Sequence, residues 1–253
     1  MSRWAGAAVV ALLLATGTAC ASDTGESSGS KILTVYAAAS LTSSFEEIGK
    51  QFEADHAGVK VRFSFGGSSD LVAQLQQGAP ADVFASADTD NMERATADDL
   101  VEDEPVDFAT NTLEIAVPPD NPAGVTSLED LAKPSTQVVT CATEVPCGAA
   151  TQKVEKASGV EIRPTSEEQS VIDVLNKVTT GEADAGLVYV TDVQAAGDRV
   201  KGITFPESSS AVNTYPIGAL VGSEHNDLAR EFVEFVTGDT GQQILAGAGF
   251  AKP

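Results

Sequence analysis

The chain has 253 residues, enough for one large domain or two lobes, and its 42% hydrophobic content argues against wholesale disorder. Fifteen Lys and Arg stand against 37 Asp and Glu, a net charge of −22, which argues against nucleic acid or an anionic membrane surface as a partner. So acidic a chain suggests at first a cationic ligand.

The chain opens on Met1-Ser2-Arg3, an apolar run WAGAAVVALLLA and then TGTAC. The apolar run is too short to span a bilayer comfortably. This segment resembles a bacterial lipoprotein signal, which implies cleavage after residue 19 and lipid on the sulfur of Cys20. Gly17 departs from the aliphatic residue usual there, and an ordinary cleaved signal with an incidental Cys20 is the alternative. Either implies export. Residues 20–30 are small and polar and read as a flexible tether.

From Lys31 onward, strand and helix signals alternate. KILTVYA is a short buried strand, and Leu41, Phe45, Ile48 and Phe52 then form one face of an amphipathic helix. Ser43 and Glu46 have capping-box spacing, although Ser40 could start the helix earlier. VKVRFSF alternates strictly, as a strand does. FGGSSD follows, then a short helix LVAQLQQ ended by Gly78. ADVFASAD reads as a strand closing on Asp88, a helix cap. TLEIAV, SLEDLAK and QVVTCA read as strand, helix, strand, and a helix over AATQKVEKAS follows VPCG. Val171, Val174, Leu175 and Val178 mark another helix, GLVYV and NTYPIGALV are strands, and two helices finish the chain. This rhythm predicts an α/β architecture with mostly parallel sheets. In an exported chain, Cys141 and Cys147 are expected to form a local disulfide, for which loop closure contributes about 2 kcal/mol. A metal pair is the weaker reading, since neither His56 nor His225 is near and no zinc-type cluster exists.

Ligands of α/β folds gather where strands end and helices begin. Six such junctions stand out: AAAS, FGGSSD, ASAD, VPCG, EEQSV and the end of GLVYV. A serine nucleophile would need a base, but the two histidines sit at a helix end and in a polar turn, and FGGSSD misses the GxSxG elbow. GxxxxGK[ST] and a helix-opening GxGxxG are both absent, so phosphate-loop and dinucleotide sites have no support. Any single serine here could simply cap a helix. Taken together, the junctions fit an oxyanion site. Helix N-termini offer unpaired N–H groups and partial positive charge, and no junction carries Lys or Arg. Surface carboxylates beyond about 8 Å are largely screened at physiological salt, so the acidic charge slows encounter rather than forbidding an anion.

VYAAASLTSSFEEI, SFGGSSDLVAQLQQGAPADVFASAD and GEADAGLVY closely resemble the extracytoplasmic molybdate-binding proteins of ABC importers. The resemblance runs from Lys31 to the C-terminus, with GAPADVFASAD its most specific block. It implies a type II periplasmic-binding-protein fold, two α/β lobes joined by two hinge strands near TLEIAV and NTYPIGA. Lobe 1 would then hold residues 31–112 and 214–253, and lobe 2 residues 113–213. The implied contacts are Ser40 through hydroxyl and N–H, Ser68 as the serine after the second strand, Ala87, Cys147 and Val171 through backbone N–H, and Tyr189 through its phenol. Ser69 is expected to cap the helix, while Gly66 and Gly67 leave backbone room. The implied function is a monomeric, non-enzymatic receptor. It would bind molybdate or tungstate, with no cofactor or directly bound metal, for an ABC permease outside the cytoplasm, anchored through Cys20. A donor-only site would reject phosphate, which still carries a proton, whereas sulfate would be separated by size alone. A receptor for sulfate or another tetrahedral oxyanion is the alternative.

Overall fold

A computed structural model describes residues 30–253; the proposed signal and Cys20 lie outside the described residues. Two five-stranded sheets organise the described residues. The first contains β1 (Lys31–Ala38), β2 (Val59–Gly66), β3 (Val83–Ala85) and β4 (Val106–Asn111). The second contains β5 (Leu113–Val117), β6 (Val138–Cys141), β7 (Ser166–Glu168), β8 (Ala185–Tyr189) and β9 (Lys201–Ile203). The chain then returns to the first sheet as β10 (Asn213–Ala219). The orders are β2-β1-β3-β10-β4 and β7-β6-β8-β5-β9.

The mostly parallel sheets expected from the alternation are present in strand direction, with one reversal each. β1, β2 and β3 pair in parallel, and β10 runs against both β3 and β4. In the second sheet, β6 pairs in parallel with β7 and β8, and β5 runs against both β8 and β9. β5 and β10 are the strands that receive the chain from the other sheet. Each is flanked by neighbours on both sides and buried along almost its whole length, which suits their near-continuous apolar sequences.

Among the described residues, eight α-helices cover these sheets: α1 (Thr42–Asp55), α2 (Ser68–Gln76), α3 (Thr89–Ala97), α4 (Pro146–Ser158), α5 (Val171–Thr179), α6 (Val190–Ala196), α7 (Asn226–Thr237) and α8 (Asp239–Gly247). In α1 the predicted stripe of Leu41, Phe45, Ile48 and Phe52 is wholly buried. The Ser43–Glu46 capping box does not form, because a 3-10 turn over Ala39–Leu41 leads directly into α1 and Leu41 occupies the cap position. SLEDLAK makes only a 3-10 turn, Leu128–Ala132, held by a capping box between Ser127 and Asp130. α4 begins at Pro146, ahead of its predicted start, since proline fits the first helical position where no N–H is needed. β4, β7 and β9 carry no strand signal of their own and form as partners of stronger neighbours.

Candidate functional site

The strand ends bring the six junctions to one place between the sheets. Ser40, Ser68, Ala87, Cys147, Val171 and Tyr189 line a single cavity, together with Ala38, Ala39, Gly66, Gly67, Val145 and Pro146. Its volume is about 10 Å³, far below the ~300–1,000 Å³ usual for organic ligands. None of these lining residues is charged. Larger hollows exist, including one of about 690 Å³ beside Thr34, Arg62 and His225, but the helix N-termini do not converge there.

Three helix starts supply the polarity. α2 has Gly67 at its cap position and α4 has Val145, neither with a side-chain cap. Pro146 has no N–H, so the first amide of α4 belongs to Cys147. In α5, Ser170 caps by accepting the Asp173 N–H, which leaves Val171 at the first helical position. First-turn amides have no intrahelical acceptor. Among the described residues, no other backbone acceptor is found for the N–H of Ser40, Ser68, Cys147 or Val171. The arrangement is a ring of dipoles aimed at one small volume, chemistry that stabilises negative charge without a cation.

The side chains add hydroxyls, and each has a partner behind it. Ser68 Oγ accepts the Ala87 N–H at 3.0 Å, so these two residues meet each other as well as the cavity. Tyr189 Oη lies 3.0 Å from Asn213 Nδ2, and the same nitrogen donates to the Ala87 carbonyl at 2.8 Å. Ser40 Oγ lies 3.0 Å from Tyr215 Oη. Burial holds both phenols well above the ordinary tyrosine range, so they stay protonated. Behind Tyr189, the Asp192 carboxylate accepts the Tyr189 N–H at 2.8 Å, and burial pushes its pKa up to about 7 against that hydrogen bond.

The backbone room expected at Gly67 is taken up by protein rather than left open, and Gly148 behaves alike. A Cβ on Gly67 would stand 2.1 Å from the Gln169 carbonyl oxygen, and one on Gly148 would stand 1.9 Å from that of Ala142. Their missing side chains therefore admit protein backbone: the first across the gap between the sheets, the second beneath α4. Ser69 does not cap α2; its Oγ is buried without a hydrogen-bond partner among the described residues. Cys141 and Cys147 form the expected disulfide, Cα–Cα 5.6 Å, tying the end of β6 to the cavity-lining start of α4. His56 stacks on Phe52 and His225 precedes α7; neither lines the cavity. Asp70 and Asp173 line the adjoining hollow, outside the cavity itself.

Sequence reasoning missed Asn213, Tyr215 and Asp192. NTYP read only as a strand, and the acid three residues after Tyr189 was the one available signal of a cap. Among the described residues, no group of three or more His, Cys, Asp or Glu is placed to hold a metal ion, and no helix is long and apolar enough to cross a membrane.

Residues 33–251 match the family described as "Bacterial extracellular solute-binding protein". The molybdate-binding protein ModA of Mycobacterium tuberculosis (strain ATCC 25618 / H37Rv) is 47% identical over 260 residues, covering 99% of this chain and 100% of that protein. A putative ABC transporter substrate-binding lipoprotein of Bacillus subtilis, YvgL, is 29% identical over 96% of this chain and 95% of its own length. The periplasmic molybdate-binding protein of Azotobacter vinelandii superposes with a TM-score of 0.77 at 21% identity, covering 87% of this chain and 99% of that one. A match that runs through both sheets, and through every junction around the cavity, places this chain among the bacterial extracellular solute-binding proteins.

Proposed function

We propose that this chain is the molybdate receptor of an ABC importer, taking tungstate as well, and that Ser40, Ser68, Ala87, Cys147, Val171 and Tyr189 form its ligand shell. The observation that carries this is the small, uncharged cavity walled by hydroxyls and helix N-termini. The molybdate-binding relative at 47% identity supports the choice of anion. A tetrahedral dianion without protons can accept from every donor around it, whereas hydrogen phosphate brings a proton for which the shell offers no acceptor. In this reading Ala87 acts chiefly through Ser68, which its N–H orients. Binding alone is the task, and no reaction is assigned to the site.

Residues 31–112 with 214–253 form one lobe and 113–213 the other, closing on the anion as a monomer. Cys20 carries the lipid and residues 20–30 the tether, a reading supported by the N-terminal sequence and by the lipoprotein relative.

The test is a thermal and calorimetric panel of molybdate, tungstate, sulfate and phosphate. At a hundred times Kd, ligand should add about 2.7 kcal/mol of stability. Molybdate and tungstate should both stabilise strongly, with sulfate weaker and phosphate silent. Stabilisation by neither molybdate nor tungstate would overturn the reading, and a response to sulfate alone would move the function to that anion. Ser40→Ala and Ser68→Ala should weaken binding in a chain that still folds.

A further inference from the structure

The hydroxyl of Tyr189 can donate to an anion or accept from a proton, and nothing in a phenol decides between the two. The structure assigns that decision to Asn213. Its side chain is buried at the first position of β10, and Nδ2 lies 2.8 Å from the Ala87 carbonyl and 3.0 Å from Tyr189 Oη. A carbonyl can only accept, so the amide must turn its NH₂ toward Ala87. The second N–H of that group is then directed at the Tyr189 oxygen. With a lone pair occupied from behind, the phenolic proton points away from Asn213, toward the neighbouring Tyr215 hydroxyl and the cavity that Tyr189 lines, where an anion is the stronger acceptor.

The neighbouring hydroxyls follow the same pattern. Ser68 Oγ takes the Ala87 N–H, which leaves its only proton free. Asn111 is oriented by the Thr112 N–H on its Oδ1, and its Nδ2 faces Tyr215 Oη at 3.5 Å. Tyr215 in turn meets Ser40 Oγ at 3.0 Å. Asn213 is thus a positioning residue that makes Tyr189 a donor, and with it the rejection of protonated anions. This rests on the oxyanion reading above and goes beyond it by naming what fixes the polarity of the shell.

Asn213→Leu removes both donors at similar size, and Asn213→Ser keeps one hydroxyl should the leucine variant fold poorly. In either variant the Tyr189 proton is free to turn, so molybdate should bind about fivefold more weakly. The molybdate-to-phosphate preference should narrow as well, because the phenol can now accept the phosphate proton. In the Tyr189→Phe background the same substitutions should change Kd less than about twofold. Equal weakening in both backgrounds, or a lowered melting temperature with Kd and selectivity untouched, overturns the proposal. A ligand-free measurement separates it from the parent reading: by NMR, the two Asn213 side-chain amide protons should exchange slowly, and Tyr189→Phe should shift one of them. If wild-type protein binds no oxyanion while that signature is present, the function fails and the positioning stands; if the signature is absent, the positioning fails.

Discussion

The two sheets are built from different materials. Around the first, Phe45 meets Phe63, Phe108 and Phe232 with ring centroids 5.8–6.2 Å apart, and the cluster continues through Phe52, Phe235, Tyr215 and Phe250. Around the second, the core is almost wholly Val, Leu, Ile and Ala, with Phe205 and Tyr189 as its buried aromatics. The first half thus gains stability from large interlocking rings. The second draws on smaller side chains, a disulfide and carboxylate-capped turns. The difference carries to the site. Ser40 is held through Tyr215, part of the aromatic cluster, whereas Cys147 and Tyr189 are held by a covalent bridge and by Asp192.

Four perturbations test this division, beginning with the largest expected effect. Phe45→Ala should cost about 3–5 kcal/mol in denaturant unfolding, since it removes the ring that joins three others in a fully buried position. A loss under ~1 kcal/mol would mean that the aromatic cluster is not what stabilises the first half. Cys141→Ser leaves the Cys147 amide in place and should cost about 2 kcal/mol. It should also weaken molybdate binding through the loosened start of α4; unchanged calorimetric affinity would separate the bridge from the site.

Asp192→Asn comes next. With its native pKa raised to about 7, Asp192 holds a proton in the folded chain that the unfolded chain releases near the ordinary carboxylate range of about 3.9. Wild-type stability should therefore fall as pH rises from about 4 to 7. The asparagine variant should remove a part of that slope, on the order of 1–2 kcal/mol between pH 5 and 8. Parallel stability curves for the two proteins would place the titration elsewhere. Gly67→Ala tests the place where the halves meet. Its Cβ collides with the Gln169 carbonyl, so molybdate affinity should drop about tenfold, ~1.4 kcal/mol, with little change in ligand-free melting. A variant that binds as tightly as the wild type would show that the approach of the halves does not matter to affinity.

Much of this was legible because local patterns and tertiary needs agree. The stripe of α1, the run Val171 to Val178, and the apolar strands β5 and β8 announce themselves by spacing, and each is buried as its pattern requires. The six junctions were legible for the same reason, since small residues and serines at strand ends leave few other readings. What stayed hidden depends on partners far along the chain. Nothing near Gly67 announces Gln169, and nothing near Asn213 announces Ala87 or Tyr189. The edge strand Ser166–Glu168 is polar and takes its conformation from β6. Ser69 misled because serine after a glycine at a strand end reads as a cap, while the backbone gives the cap position to Gly67.

Asn111 and Asn213 are cross-strand partners, and the chain passes between the sheets immediately after the first and immediately before the second. Any swing of one half against the other must pivot beside this pair. Asn111 holds Thr191 at 2.8 Å and Asn213 holds Tyr189 at 3.0 Å, residues at the start of α6 and the end of β8. A rotation displaces atoms least at its axis, so these two buried bonds can persist through a swing that separates the rims, keeping the site's backing in place.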